Sequence, residues 1–304
     1  MENQHEIRIG PAGWSYADWQ GIVYPSPQPR GFRESTYLAQ FFDTIEINTS
    51  FYQPIRPKLA EQWIEQVSAN PRFRFTAKLW QKLTHGTDAT KEDVQSARGG
   101  FEVLRDARRL GAVLLQFPFS FHNTPDNLGR VERLAEQFGE YPLVIEIRHS
   151  SWNNPSVERM LRSHGIGLCN IDQPLIGRSV PPSGRATSEV GYVRLHGRRY
   201  DTWFADDPDI PRHERYNYLY SDEELQPWAE RIKRVAARAK STFVITNNHY
   251  EGKGVVNALD LLHLLGRRKV KVPEALRERY PRLEKIADEP ARQRALFPSN
   301  TAAS

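Results

Sequence analysis

Eight short apolar or β-branched runs punctuate the chain, spaced so that one helix fits between most neighbours. They read EIRIGPAGW (6–14), TIEINTSFY (44–52), FRFTAKLW (73–80), GAVLLQFP (111–118), PLVIEIRH (142–149), GIGLCNID (165–172), VGYVRLHG (190–197) and STFVITNN (241–248). Amphipathic stretches of helical length lie at 57–69 after Pro57, 91–110, 127–138, 155–164 and 222–239, with another at 254–266 after the last run. Ser221 stands where it can cap the 222–239 helix, with acids in its first turn. Strands that alternate with helices imply parallel pairing, because each crossover needs a covering element. Eight such units predict an α/β fold, a single (β/α)8 TIM-like barrel over residues 1–266, followed by a C-terminal tail over 267–304 that is helical and then disordered. A doubly wound sheet would show a Gly-rich phosphate turn after an early strand; GPAGW lacks that spacing, and no Walker-type loop occurs.

Two connections break the rhythm. Residues 173–189 are rich in Pro, Gly and Ser without helical period, and 198–220 form a long aromatic and charged loop. Loops that follow strands build the active-site face of a barrel, so both are candidate walls of a site.

Several strands end in a polar–apolar–polar triplet: EIN (46–48), EIR (146–148), NID (170–172) and RLH (194–196), with TAK (76–78) a weaker version and Thr246 with Asn248 another. Alternation sends Glu46 with Asn48, Glu146 with Arg148, and Arg194 with His196 to one face, and Ile45, Ile47, Ile145, Ile147 and Leu195 to the other, against the helices. By the same reasoning Asp172 points inward and Cys169 outward into the core. The polar set then faces the barrel axis at its C-terminal mouth, where barrel enzymes build their sites. Folding alone would favour Val, Ile or Leu there, because an unpaired buried charge costs several kcal/mol. Glu46, Glu146 and Asp172 balance Lys78, Arg148 and Arg194, with His196 in addition, so a charge-paired plug and a functional ring both fit the inventory.

Composition narrows the classes. The chain has 304 residues, 39% hydrophobic and 26% charged, as a globular protein does. Nothing near eighteen consecutive apolar residues occurs, so no membrane span is expected. The MENQHEIRIG start has no apolar signal region, and an intracellular, cytoplasmic protein is expected. A single cysteine, Cys169, allows neither an intrachain disulfide nor a thiolate metal cluster. The net charge of +5 suits anionic ligands and is a weak signal for nucleic acid. No cofactor is firmly implied. Glu46, Glu146, Asp172, His149, His196 and His249 are ligand types for a divalent metal, but no compact metal motif is present, and the Arg and Lys residues beside them suit an anion better.

These motifs also resemble those of the domain of unknown function 72 family, the YecE-like proteins. IGPAGWSYADWQGIVYP, EINTSFY, FRFTAK with LTH, LLQFP, IEIRHSSW, YVRLHG, YSDEELQPW and NNHYEGKGVVNAL fall in order over most of the chain. The resemblance implies a TIM-barrel fold and no defined activity. It marks Trp14, Glu46, Asn48, Tyr52, Lys78, Gln116, Glu146, Arg148, His149, Arg194, His196, Asn247 and Asn248, among others, as signature positions. Where the family has Thr and Ser before Gly-Trp, this chain has Pro11 and Ala12, so that turn carries no hydroxyl.

The leading expectation is an enzyme, a hydrolase or lyase, acting on a small or polymeric anionic substrate that offers a phosphate or a carboxylate. Glu146 would be the general acid/base, His196 a second proton carrier with an ordinary pKa near 6.5, and Glu46 an orienting carboxylate. Lys78, Arg148 and Arg194 would hold the anion; Asn48, Gln116, Asn247, Asn248, His149 and Asp172 would bind polar groups; Trp14 and Tyr52 would offer stacking faces. This requires Glu46 and Glu146 to converge on one cavity, and a paired-carboxylate glycosidase is a variant of it. The alternative is a nucleic-acid or nucleotide binding protein, nuclease-like and metal-dependent. Oligomeric state has no signature in the sequence.

Overall fold

A computed structural model of the chain describes residues 6–203 and 211–288. Each predicted run contains one strand: β1 (Glu6–Pro11), β2 (Thr44–Ile47), β3 (Arg74–Lys78), β4 (Leu110–Gln116), β5 (Leu143–Glu146), β6 (Gly167–Asp172), β7 (Val190–Leu195) and β8 (Ser241–Thr246). The helices are α1 (Glu34–Leu38), α2 (Pro57–Gln66), α3 (Gln81–Thr84), α4 (Lys91–Asp106), α5 (Pro125–Phe138), α6 (Pro155–Ser163), α7 (Asp222–Ala236), α8 (Lys253–Gly266) and α9 (Glu274–Arg279). Strand neighbours run β1-β8-β7-β6-β5-β4-β3-β2, and every pair is parallel.

The sheet closes where β1 meets β2. Ala12 bridges Glu46, and the Gly13 amide donates to the Glu46 carbonyl at 2.8 Å. Gly10 permits that approach, since a Cβ on it would lie 1.9 Å from the Thr44 carbonyl oxygen. Two apolar layers result. An outer one packs strands against helices through residues such as Ile45, Ile145, Leu195 and Trp228; an inner one fills the barrel with Leu114, Val144, Cys169, Ile171, Tyr192, Phe243 and Ile245.

Local chemistry starts the helices where the sequence says. Ser221 and Glu224 form a reciprocal capping box at α7, Thr90 and Asp93 form another at α4, and Asn154 caps α6 ahead of Pro155. Residues 173–189 contain no helix, so β6 is followed by a loop instead of a covering helix. Beyond α8, α9 and the 3-10 turn Pro281–Lys285 pack on the barrel through buried Leu276 and Leu283. The disorder expected of the tail falls on residues 289–304, outside the described residues.

Candidate functional site

Alternation places the polar residues of β2, β3, β5 and β7 inside the barrel as read from the sequence. Register confirms it, because residues paired across parallel strands share a face: Glu46 pairs with Thr76 and Gln116 with Glu146. Four of these side chains, Glu46, Glu146, Arg194 and His196, are wholly buried. Their organising member is Arg194. Its Nη2 donates to Glu46 Oε1 at 2.7 Å, and its Nη1 reaches both Glu146 Oε2 and Gln116 Oε1, the latter at 3.2 Å. A planar fork with fixed donors suits this bridging position.

Each carboxylate has further partners. Tyr192 donates to Glu46 Oε2 at 3.0 Å and stands 2.8 Å from the Thr76 hydroxyl. Arg148 donates through Nε and Nη2 to Glu146 Oε1 at 2.9 and 2.7 Å. Lys78 Nζ stands 3.7 Å from Glu46 Oε1. Asn247 Nδ2 donates to His196 Nδ1 at 3.0 Å, which leaves the ring proton on Nε2, 3.3 Å from Glu146 Oε2 but outside hydrogen-bond alignment.

The electrostatics follow from this packing. Burial would raise the Glu146 pKa, but the charges of Arg194 and Arg148 outweigh it and hold the carboxyl well below its usual range. Burial, aided by the Arg194 charge, lowers His196 to about 3 despite the nearby Glu146 carboxylate. Glu146 is therefore ionised and His196 neutral at pH 7. A carboxyl locked as its anion is a poor general acid, and an imidazole so depressed is a poor proton carrier. Glu46, Glu146 and Arg194 together form a charged floor to the mouth.

Above that floor the site meets solvent. The side chains of Lys78 and Arg148 are 11% and 19% exposed. Lys78 lies over the Phe51 ring and Arg148 over Trp203. Burial, with the charge of Arg194, brings Lys78 down to about 8. Asn48 donates to the Tyr16 hydroxyl at 3.0 Å, and Tyr16 stacks on His249 with ring centroids 4.3 Å apart. Asn48 Oδ1 and His249 Nδ1 are buried with no hydrogen-bond partner among the described residues. Buried polar atoms are normally satisfied, so these two are open to a further partner.

Other expected site residues lie elsewhere. Asp172 faces outward, where it accepts from Arg198 Nε and Nη2 at 2.8 and 3.1 Å and from the Tyr220 hydroxyl at 2.5 Å. Asn170 shares its side, binding the Arg185 and Tyr192 carbonyls and the Ser183 hydroxyl, whereas Cys169 and Ile171 face the axis beside Tyr192 and Arg194. The face assignment read for β6 is thus reversed. The cause is the missing helix: a polar loop covers the outer face of β6, so outward positions carry hydrogen-bonding side chains. Asn248 likewise points away from the axis and donates to the Tyr218 carbonyl and Asn257 Oδ1, both at 2.8 Å. Trp14 packs edge-on against Trp63 of α2, 5.2 Å between centroids, and against Phe75. Tyr52 is exposed and contacts Phe51 edge-on. His149 Nδ1 lies 2.8 Å from the Ser151 hydroxyl, and its ring packs beside His122.

Sequence reasoning missed Tyr192 and Trp203. Tyr192 shares the parity of Arg194 and was recoverable from that alone; Trp203 sits in an aperiodic loop with no signal to mark it. Among the described residues no group of three or more His, Cys, Asp or Glu side chains comes together as a cation site. Of those residues, no helix is long and apolar enough to cross a membrane.

Fold and site together define a parallel (β/α)8 barrel whose C-terminal mouth has a charged floor. Residues 8–282 match the family described as "Protein of unknown function DUF72", and the chain belongs to that family. It is 29% identical over 274 residues to UPF0759 protein YunF of Bacillus subtilis, covering 85% of this chain and 94% of that one. It is 23% identical over 185 residues to UPF0759 protein YecE of Escherichia coli K12, covering 60% and 64%. The crystal structure of a DUF72 family protein from Thermotoga maritima superposes with a TM-score of 0.75 at 32% identity, covering 86% of this chain and all (100%) of that one.

Proposed function

We propose that this protein is an enzyme, a lyase or hydrolase, whose substrate is a small molecule with a carboxylate or phosphate group bound at the barrel mouth. One observation carries the reading. With Asp172 outside, the inner network holds two carboxylates, Glu46 and Glu146, against three cations, Lys78, Arg148 and Arg194. His196 is neutral, so one positive charge is in excess, and the cations nearest solvent are Lys78 and Arg148. An uncompensated cation in a recessed site attracts an anion and is strengthened by the low dielectric around it.

A nucleic-acid reading fits less well. Lys78 and Arg148 are recessed, and in the 198–220 loop Arg198 and Arg199 are already paired, with Asp172 and Glu224, and with Asp201 and Glu214. Calorimetric titration with inorganic phosphate and with pyruvate tests the proposal. Binding that weakens at least tenfold in Arg148→Ala supports it; no anion binding overturns it. Steeply salt-dependent binding of oligonucleotides, unaffected by Arg148→Ala, would favour the nucleic-acid alternative instead.

A further inference from the structure

Lys78 stands apart from the other cations of the mouth. Arg194 and Arg148 are spent in charge-assisted hydrogen bonds to Glu46 and Glu146, whereas Lys78 Nζ makes none among the described residues; its nearest carboxylate oxygen is 3.7 Å away. The strand end of β3 fixes its root, since the Lys78 amide donates to the Ser50 hydroxyl at 2.9 Å. Phe51 shields one side of the ammonium group. Burial first, and then the charge of Arg194, disfavour the charged form of this mostly buried amine, against the opposing pull of Glu46 and Glu146. Its pKa of about 8 agrees with that setting.

We propose that Lys78 Nζ is a nucleophile that forms an imine with the carbonyl carbon of a small aldehyde or ketone bearing a carboxylate or phosphate. This rests on the anionic-substrate reading above and assigns it a reaction class, carbon–carbon lyase or aldol chemistry. The free amine attacks the carbonyl carbon; a C–N bond forms as the C=O π pair moves to oxygen. A proton passes from nitrogen to that oxygen, giving a carbinolamine; a second proton, taken from solvent, turns its hydroxyl into a leaving water, whose departure gives the protonated imine. The imine takes up the electron pair of the cleaved carbon–carbon bond and becomes an enamine, while the other fragment leaves as a carbonyl compound after its β-hydroxyl gives up a proton. A proton added to the enamine carbon restores the imine, and addition of water returns the amine and the carbonyl product. No oxidant or reductant is consumed. Arg148, beside Lys78 at the solvent edge, holds the anionic group. The Nδ1 of His249, buried and unpartnered, is a nearby neutral base for the proton passed from nitrogen.

The experiment uses the full-length protein with pyruvate, glyoxylate or dihydroxyacetone phosphate and sodium borohydride, read by intact mass and peptide mapping. The expected result is one adduct, mapped to Lys78, forming faster as pH rises toward 8 and absent in Lys78→Arg and in Lys78→Gln. Mapping in the unaltered protein stands even where a variant fails to fold. Labelling spread over surface lysines without preference for Lys78, or no adduct at all, overturns the proposal. Phosphate binding that depends on Arg148 without an adduct removes the imine and leaves the anion-binding reading intact; loss of both removes both.

Discussion

The carboxylates of Glu46 on β2 and Glu146 on β5 are held by one guanidinium between them, that of Arg194. All three side chains are fully buried. Two acids that would otherwise repel in a low-dielectric interior become a fixed anionic base on which Lys78 and Arg148 rest.

Removing the bridge should be costly. Arg194→Met takes the shared donor from two buried carboxylates, leaving Glu146 with Arg148 and Glu46 with Tyr192 and the more distant Lys78, a loss of about 3–5 kcal/mol for a broken buried ion pair. Urea denaturation of Arg194→Met, alone and combined with Glu46→Gln and Glu146→Gln, measures this. The combined variant is expected to recover a large part of the loss, since neutral amides no longer need the guanidinium.

Acid sensitivity should begin well above carboxylate pH. His196 and His249 are lowered to about 3 and about 4 in the folded protein, both through burial first. Unfolded histidines take up protons below about 6.5, so in the window from there down to about 4 the unfolded chain binds more protons and stability falls as pH falls. Each histidine contributes a slope of up to about 1.4 kcal/mol per pH unit. Glu146 acts in the same direction lower down: its depressed pKa lends stability above an unfolded value of about 4.3 that is lost as pH drops through the folded one. His196→Asn should flatten the slope between pH 6 and 4 by about one proton; an unchanged slope would contradict a neutral buried His196.

Tyr192→Phe isolates one hydrogen bond. The ring remains and the bond to Glu46 Oε2 is lost, leaving a buried charged acceptor short of a partner. A destabilisation of about 1–3 kcal/mol is expected in chemical denaturation. Thr76→Val, which keeps the phenol to Glu46 contact, should cost less.

The seam between β1 and β2 gives a steric test. Gly10→Ala drives a Cβ to 1.9 Å from the Thr44 carbonyl, backbone that cannot swing aside. A loss of about 3 kcal/mol or more is expected, as for overpacking at a rigid site. Gly165→Ala is the comparison: its φ of +66° is strained for alanine but its surroundings are open, so about 1 kcal/mol should be lost.

The barrel was legible because its signals are local and repeated. Each strand is a short apolar run, and caps such as Ser221 announce the helices between. The inward set was legible on β2, β3, β5 and β7, where helices cover the outer face and alternation has one meaning. It misled on β6, because the loop over 173–189 makes the outside polar too, and Asn170 and Asp172 then belong to that loop. On β8 the expected pair Thr246 and Asn248 faces outward, Thr246 donating to the Gly254 carbonyl of α8 and Asn248 to the Tyr218 carbonyl, and Asn247, just past the strand, is the one that meets His196. Chemical roles were less legible than positions. That Arg194 stands between Glu46 and Glu146 could not be read at all, because it is a contact between residues far apart in sequence.

Below the Arg194 layer the barrel is filled by Tyr192, Leu114, Val144, Phe243 and Ile245, all buried. The barrel is therefore a vessel with a sealed bottom. On the proposed reading, whatever enters at the C-terminal mouth would also leave there, and a product that lingers would keep the next molecule waiting outside.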